Sequence, residues 1–459
     1  IRMKEGFLMT YLNPLLPLNE YIPDGEPHVF DGRVYLYGSH DQAAGIKYCP
    51  LDYTVYSASV DHLDEWRCEG VIYHKSQDPR NADGSHELYA PDCVRGSDGR
   101  YYLYYVLEGI DAIGVAVCDT PAGHYEYYGE VKLPEHCHEK PSAFDPAILQ
   151  DGERYYLAYG FSFNGTLPTM NLTPENTKGG YVVELAEDML TMKHEPRLVI
   201  PGYALGKGSS FEGHEFLEAA SLRKFNNRYY FIYSSQAQHE LCYAVSSYPD
   251  RDFTYQGILI SNAGKLEDEA LYKNNYANNH GSIVKINEKY AIFYHRHTYG
   301  RQYSRQACAE IIHMNDQGLF EPAQVTSQGL SEQPLSIERQ LPAAAACFVY
   351  DGLQGEFIPF GADSMDKARI EGSSIVNITD SNICFRYFEA IPDQITLNLL
   401  TNGSECGTVE VMINERLMAV LNIKGEPTIS CSLKPEEVKA ELWLNFHCPR
   451  PIQLESIIF

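Results

Sequence analysis

Five ionisable side chains recur at matching positions in this sequence, each in an apolar setting 5 to 8 residues ahead of a turn. These residues are Glu26, Asp92, Asp145, Glu218 and His280. Carboxylates that meet in one site raise one another's pKa, so such a group is costly to bury unless function retains it. Two carboxylates that face a sugar are the minimal machinery for cleaving a glycosidic bond, one as general acid and one as base or nucleophile.

The turns that follow these residues open five copies of one strand pattern. The copies are DGRVYLYGS (31–39), DGRYYLYYV (98–106), DGERYYLAYG (151–160), NNRYYFIYS (226–234) and NEKYAIFYH (287–295). A turn dipeptide followed by aromatic and β-branched residues is typical of the second strand of a hairpin. Five hairpins that start 53 to 75 residues apart predict five four-stranded sheets. The chain is therefore predicted to be all-β, with a five-bladed β-propeller whose innermost strands bring the ionisable residues together.

Composition excludes several classes of partner. The chain has 459 residues and a formal net charge of −26, so its average field repels nucleic acid and anionic membrane surfaces. No run of about 18 apolar residues is present, so no membrane span is predicted. Tyrosine is abundant at 35 copies, which suits sugar-binding clefts because the ring packs while the hydroxyl forms hydrogen bonds.

The cysteines give no sign of a metal or redox site. All 12 are scattered, with no C-x-x-C pair, and no apolar stretch of signal length opens the chain. This pattern predicts a cytoplasmic protein in a reducing compartment. The peptide EHCH (135–138) is interpreted as a loop, because neighbouring residues of an extended strand face opposite sides. No metal ligand set is predicted, and no cofactor is expected to be required.

The order of short motifs along the chain resembles glycoside hydrolase family 43. The matching segments are NPLLP (13–17), GEPHVF (25–30), YAPD (89–92), FDPAIL (144–149), FLEAASLRK (216–224), HGSIV (280–284) and SRQACAE (304–310). The resemblance covers roughly residues 10–320. It implies a five-bladed propeller that cleaves arabinofuranosides, β-xylosides or related linkages by an inverting mechanism.

The resemblance also implies catalytic roles. Glu218 corresponds to the general acid, and Asp145 to the carboxylate that orients the acid and tunes its pKa. The family's usual base is an Asp directly before Pro, and Glu26 occupies that position here. Asp24 has the commoner residue type and faces the same side as Glu26 if the strand is extended. Glu26 is preferred as the base, with Asp24 as the alternative.

Further residues are predicted to contact substrate. His280 resembles the family histidine near the axis that orders water or a cation, which leaves room for Ca²⁺ there, although no dedicated oxygen-ligand loop is visible. Arg305 resembles an arginine that contacts the terminal sugar or an active-site carboxylate. Four other residues are expected to bind the sugar, namely His40, Asp41, Asp92 and Arg296.

A second domain is predicted after the propeller. The propeller is assigned to residues 1–335, and residues 345–459 contain alternating stretches that suggest a β-sandwich. This part resembles carbohydrate-binding module family 6. Such modules need exposed aromatic residues to stack on sugar, whereas Trp443 and Phe446 lie in a strand that reads as buried. A structural domain packed on the propeller, shaping its cleft, is therefore expected.

Together these patterns predict an exo-acting glycosidase that releases terminal α-L-arabinofuranose or β-D-xylose from short oligosaccharides. One alternative is a β-D-galactofuranosidase or another furanosidase on the same fold. A second is a sugar-binding propeller without turnover, because the usual Asp is missing at the base position. The sequence leaves the oligomeric state open.

Overall fold

The computed structural model describes residues 12–164, 173–266, 269–338, 340–362, 364–401, 403 and 407–459. It confirms a nearly all-β chain with a five-bladed propeller followed by a smaller β domain. Four blades contain four antiparallel strands, and the described part of the fifth contains three. In each blade the first strand lies nearest the axis and the later strands follow outwards.

The strand bounds of the propeller are as follows. Blade 1 consists of β1 (Glu26–Phe30), β2 (Arg33–Tyr37), β3 (Tyr53–Ser59) and β4 (His62–Tyr73). Blade 2 consists of β5 (Leu88–Arg95), β6 (Tyr101–Leu107), β7 (Ile113–Cys118) and β8 (Glu126–Glu130). Blade 3 consists of β9 (Ala147–Asp151), β10 (Arg154–Phe161), β11 (Gly179–Leu185) and β12 (Arg197–Pro201). Blade 4 consists of β13 (Phe216–Phe225), β14 (Arg228–Ser235), β15 (Glu240–Ser246) and β16 (Thr254–Ser261). Blade 5 consists of β17 (Ile283–Ile286), β18 (Lys289–Arg296) and β19 (Gln306–Ile312).

The five repeated segments are the second strands of the blades, as the sequence predicts. Each pairs with the strand before it through a tight turn. Asn226 and Asn227 both adopt positive φ, at 49° and 60°, which matches the twist that a two-residue hairpin needs. The turn residues therefore set the register that carries the ionisable residues of the innermost strands.

Alternation along the second strands builds the core between blades. Tyr104 packs at the junction of blades 2 and 3, whereas its neighbour Tyr105 packs at the junction of blades 1 and 2. The other junctions contain equivalent clusters of buried apolar residues. Since successive residues of a strand point to opposite faces, one aromatic strand packs its blade against both neighbouring blades.

The N-terminal segment closes the propeller against blade 5. The backbone N–H of Leu15 donates to the carbonyl of Ala307 (2.9 Å). The buried side chain of Asn13 donates to the carbonyl of Ala309 (3.1 Å) and to Glu310 Oε1 (2.9 Å), and it accepts from the N–H of Ala309 (3.0 Å). These bonds join the first described residues to β19, and so fix blade 1 beside blade 5.

Nine strands form the sheet of the C-terminal domain, in an arrangement consistent with the predicted β-sandwich. They are β20 (Gln340–Pro342), β21 (Phe348–Asp351), β22 (Arg369–Glu371), β23 (Ser374–Phe388), β24 (Gln394–Leu400), β25 (Gly407–Ile413), β26 (Arg416–Ile423), β27 (Thr428–Ser432) and β28 (Ala440–Ile458). Phe446 is fully buried, and Trp443 stacks on Phe348 with ring centroids 5.9 Å apart. Neither aromatic residue is displayed to solvent as a sugar-binding platform.

Helical structure in the described chain is limited to three short 3₁₀ turns. These are Lys75–Gln77, Pro79–Asn81 and Ala343–Ala345. None of the helices in this part of the chain has the length and apolar character needed to cross a membrane.

Candidate active site

A pocket of about 590 Å³ opens where the innermost strands of the propeller begin. This volume is in the range of small-molecule sites. Five buried or half-buried ionisable residues come together in its lining, namely Asp24, Asp145, Glu218, His280 and Arg305. The structure thus places Asp24, the alternative base, in the same pocket as four other residues that were predicted from the sequence.

Strained backbone positions the carboxylates. Asp24, Asp145 and Ala219 all have left-handed φ values, at 58°, 45° and 63°. Each such residue costs about 1–3 kcal/mol, and residues of this kind cluster at functional sites. The register of β13 is irregular on both sides of Glu218, and the N–H of Ala219 donates to Asp145 Oδ2 (2.8 Å). The bulged strand is therefore tied to blade 3 at the point where Glu218 enters the pocket.

Asp24 is buried beside a cation. Arg305 Nη1 donates to Asp24 Oδ1 (2.8 Å), and the N–H of Asp24 donates to His295 Nδ1 (3.3 Å). His295 Nε2 lies 3.0 Å from the carbonyl of Asn278, so the ring proton belongs on Nε2. Burial alone would raise the pKa of Asp24, but Arg305, together with the nearby His295 and His280, outweighs this effect and holds the pKa well below its usual range. Asp24 is therefore a carboxylate at every physiological pH.

Arg305 is itself held by Asp41. Its Nε donates to Asp41 Oδ2 (2.8 Å) and its Nη2 to Asp41 Oδ1 (3.0 Å), which is a bidentate pair. Asp41 is buried, and the structure places it outside the pocket lining and not at the wall where a sugar contact was predicted. Asp41 instead fixes the orientation of the guanidinium that contacts Asp24.

Glu218 has the opposite electrostatic environment. Burial and the negative charge of Asp145 raise the pKa of Glu218 to about 8. Its carboxyl group therefore keeps its proton near neutral pH. Two pocket carboxyl groups, Asp24 and Glu218, thus have pKa values pushed far apart, which is how environment assigns a base and an acid.

His280 lies between the carboxylates at the axis. Its Nδ1 lies 3.4 Å from Asp145 Oδ2 and 4.0 Å from Asp24 Oδ1, and its Nε2 lies 3.6 Å from Glu26 Oε1. Burial lowers the pKa of a histidine, but Asp145, followed by the other two carboxylates, raises the pKa of His280 well above its usual value. The imidazolium therefore offsets part of the negative charge of the site.

Glu26, the preferred base, does not line the pocket. Its Oε2 accepts hydrogen bonds from Ser221 Oγ (3.0 Å) and from Arg223 Nη2. An extended strand would turn the side chains of Glu26 and Asp24 to the same side, but the chain is not extended there. Asp24 precedes β1 and has a left-handed φ, whereas Glu26 is the first residue of the strand. We therefore correct the preference: Asp24 faces the pocket, and Glu26 lies behind His280 in a buried ion pair.

Three further predicted sugar contacts lie outside the pocket lining. Asp92 is completely buried and bonds to His28 Nε2 (2.5 Å) and to the N–H of Ile148 (2.8 Å), so it joins blades 1, 2 and 3. His40 Nδ1 bonds to the carbonyl of Asp52 (3.0 Å). Arg296 donates to the carbonyl of Ala346 (3.1 Å) at the start of the C-terminal domain. The structure therefore does not bring Asp92, His40 or Arg296 to the pocket wall, and each side chain is engaged elsewhere in the fold.

The family model of "Glycosyl hydrolases family 43" matches residues 11–320 of this chain, which is the propeller with its pocket. The chain belongs to this family. It is accordingly a glycosidase, rather than a sugar-binding propeller without turnover.

Relatives of the family 43 enzyme extend the match. A xylosidase/arabinosidase of Thermoclostridium stercorarium is 45% identical over 402 residues, which is 82% of each chain. A xylosidase/arabinosidase of Bacteroides ovatus is 32% identical over 303 residues, covering 60% of this chain and 86% of that protein. Both names describe glycosidases, in agreement with the family.

Solved structures share the fold. A family 43 β-xylosidase/α-arabinofuranosidase from a compost microbial metagenome, in complex with xylotriose, is 26% identical with a TM-score of 0.55. That match covers 68% of this chain and 97% of the other. An arabinoxylan arabinofuranohydrolase of Bacillus subtilis is 18% identical with a TM-score of 0.55 and covers 98% of both chains. The fold of the whole family 43 enzyme, C-terminal domain included, therefore has a solved counterpart.

The sequence interpretation missed most of the pocket wall. Aromatic residues supply much of the wall, and they are Tyr48, Tyr89, Phe144, Phe161, Phe163, Tyr303, Phe357 and Phe360. His295, which supports Asp24, was also missed, although it stands next to the singled-out Arg296. Phe144 lies directly before Asp145, and Tyr303 lies two residues before Arg305. Their closeness in sequence to predicted site residues could have indicated these two aromatic residues.

The buried pair of Glu26 and Arg223 gives a testable stability prediction. Arg223→Met should lower the free energy of unfolding by about 3–5 kcal/mol, because Glu26 would remain buried without its cation. Arg228→Met, at an exposed arginine that begins β14, is the matched control and should change little. Thermal and denaturant unfolding measure both variants, and adding Glu26→Gln to Arg223→Met should recover part of the loss. An Arg223→Met variant as stable as Arg228→Met would contradict a structural role for Glu26.

Proposed function

We propose that this family 43 enzyme removes terminal β-D-xylose or α-L-arabinofuranose from short oligosaccharides, with inversion at the anomeric carbon. The observation that carries the proposal is the opposed pKa shifts of Asp24 and Glu218, which line the same pocket. The sugar class is supported by the xylosidase/arabinosidase relatives. An exo mode is supported by the burial of Asp24 and Asp145, since a buried catalytic end admits a terminal sugar and not the middle of a polymer.

In the proposed reaction Glu218 is the general acid. It gives its proton to the glycosidic oxygen as the bond to the anomeric carbon breaks. Burial, and after it the negative charge of Asp145, keeps this proton on Glu218 before the reaction, because both raise the pKa of Glu218. The hydrogen bond from Ala219 to Asp145 holds the backbone of the acid in position (2.8 Å).

Asp24 is the proposed general base. It accepts a proton from the water that attacks the anomeric carbon on the face opposite Glu218, so the product has inverted configuration. Arg305 keeps Asp24 ionised and orients it, and Asp41 holds Arg305. This role replaces the assignment of Glu26, whose carboxylate is paired with Arg223 outside the pocket lining.

We also propose where Ca²⁺ would bind if the axis holds it. His280 Nε2 and Glu26 Oε1 are buried 3.6 Å apart, and neither has a hydrogen-bond partner among the described residues. Ca²⁺ takes six to eight ligands, mostly oxygen, so water would complete the shell. His280 would bind through a deprotonated Nε2 and keep its Nδ1 proton toward Asp145. The ion would supply positive charge behind the carboxylates, and the acid and base roles do not require it.

A panel of nitrophenyl glycosides tests the substrate class. The enzyme should cleave β-D-xylopyranoside or α-L-arabinofuranoside, and Glu218→Gln should lose about 10²–10⁴-fold in kcat on xylobiose. The loss should be smaller on nitrophenyl substrates, whose leaving group needs less protonation. Proton NMR of the first product should show the inverted anomer. Preferential cleavage of β-D-galactofuranoside, or a retained anomer, would contradict the proposal.

Azide rescue distinguishes the two candidate bases. Asp24→Ala should lower kcat about 10²–10⁴-fold, and azide should restore turnover of a nitrophenyl glycoside with formation of a glycosyl azide. Glu26→Ala, with its folded state checked by circular dichroism, should lose less than about tenfold and show no azide product. Azide rescue of Glu26→Ala but not of Asp24→Ala would restore Glu26 as the base.

A further inference from the structure

Two aromatic residues of the pocket rim come from the C-terminal domain and not from the propeller. Phe357 and Phe360 lie in the segment between β21 and β22, and both line the pocket of Asp24 and Glu218. Phe360 is 58% exposed and Phe357 is 40% exposed. Large apolar side chains held this far in solvent at a pocket mouth mark a surface that a ligand covers.

The segment that carries these rings is fixed to the propeller. The N–H of Gly355 donates to the carbonyl of Tyr272 (2.7 Å), and the N–H of Ile358 donates to the carbonyl of Tyr276 (2.7 Å). Gln302, itself a pocket residue, donates from Nε2 to the carbonyl of Ile358 (2.6 Å). Ile358, which lies between Phe357 and Phe360 in the sequence, is buried. The rim is therefore preorganised, and its rings do not need to be ordered when a ligand binds.

A continuous wall runs from the catalytic end of the pocket to Phe360. The guanidinium of Arg305 lies 4.7 Å from the ring centroid of Tyr48. Tyr48 contacts Tyr303 (4.7 Å between ring centroids) and Phe360 (6.3 Å). The exposed fraction rises along this wall from 2% at Arg305 to 58% at Phe360. The sugar that is released therefore belongs at the Arg305 end, and the rest of the substrate passes Phe360.

The chemistry of the rim indicates which ligand fits. Ile46, which is 82% exposed, joins the two phenylalanines at the mouth. Apolar faces of this kind pack against the C–H faces of sugar rings and offer no counter-charge to a uronic acid. Glu108 and Asp111 also line the pocket and would repel an acidic sugar. Lys47 lines the pocket as well, but its ammonium group is paired with Glu87.

We propose that Phe357 and Phe360 of the C-terminal domain form the binding site for the leaving part of the substrate, a neutral sugar unit on the far side of the cleaved bond. This inference rests on the proposed function, because it takes Asp24 and Glu218 as the reacting pair. It assigns the C-terminal domain a direct share in substrate selection: the domain binds the leaving group at the propeller's own active site.

Phe360→Ala and Phe357→Ala test the site, with Leu353→Ala as the matched control. Leu353 is 90% exposed, lies in the same segment, and is absent from the pocket lining. Each Phe variant should lower the preference for xylotriose over methyl β-D-xyloside, measured as the ratio of kcat/KM values, about three- to tenfold through KM. The methyl group of methyl β-D-xyloside is too small to reach the rim, so kcat/KM for this substrate depends only on the catalytic end of the pocket. Leu353→Ala should keep the wild-type ratio.

Three results would overturn the proposal. These are an unchanged ratio in both Phe variants, an equal change in Leu353→Ala, and a parallel loss on both substrates with a raised inhibition constant for free xylose. Failure of the proposed function has a different signature, since wild-type enzyme would then cleave neither these xylosides nor the α-L-arabinofuranosides of the substrate panel. In that case calorimetry of xylotriose with Glu218→Gln, with and without Phe360→Ala, measures the site directly. A three- to tenfold weaker affinity supports the site, and equal affinities contradict it.

Discussion

The contact between Arg305 and Asp24 is the interaction on which the rest of the active site depends. A carboxylate as deeply buried as Asp24 would otherwise take up a proton and could not act as a base. Arg305, through a hydrogen bond of 2.8 Å, is the first of the contacts that prevent this, and His295 and His280 add to its effect. Asp41 holds Arg305 by two further bonds. At Glu218, by contrast, burial and the negative charge of Asp145 prevail and raise the pKa to about 8. The site thus makes one base and one acid from two chemically similar side chains.

The propeller supplies this arrangement through its backbone. The innermost strands of five blades begin around one axis, which gathers side chains that are far apart in sequence. Left-handed φ values at Asp24, Asp145 and Ala219, with irregular pairing in β13, then set the direction of each carboxyl group. Aromatic packing between the blades sustains this strain. In β6, for example, Tyr104 packs against blade 3 and Tyr105 packs against blade 1.

Much of the fold could be predicted from sequence because it repeats. A turn followed by an aromatic strand is a local signal, and five copies specify the blades. The same repeat led to Asp145, Glu218 and His280, which do converge. Glu26 was preferred over Asp24 because it stands directly before Pro, but Asp24, with a φ of 58° ahead of β1, is the residue that lines the pocket. Local geometry of this kind is not encoded in residue type alone.

Alternation explains a second error. His295 and Arg296 are neighbours in β18, so they face opposite sides: His295 supports Asp24 and Arg296 contacts the carbonyl of Ala346. Sequence inspection had no way to choose between the two sides before the blade was placed. The contribution of Phe357 and Phe360 was equally hidden, because it depends on how the C-terminal domain is seated on the propeller.

The pH dependence of kcat/KM on xylobiose tests the central claim most directly, since it reports the ionisations of the free enzyme. If Glu218 is the acid and Asp145 raises its pKa, the alkaline limb of the wild-type profile should lie near pH 8. In Asp145→Asn the negative neighbour is gone, the pKa of Glu218 falls, and the alkaline limb should move to lower pH. An alkaline limb that stays in the same place in Asp145→Asn would contradict the account.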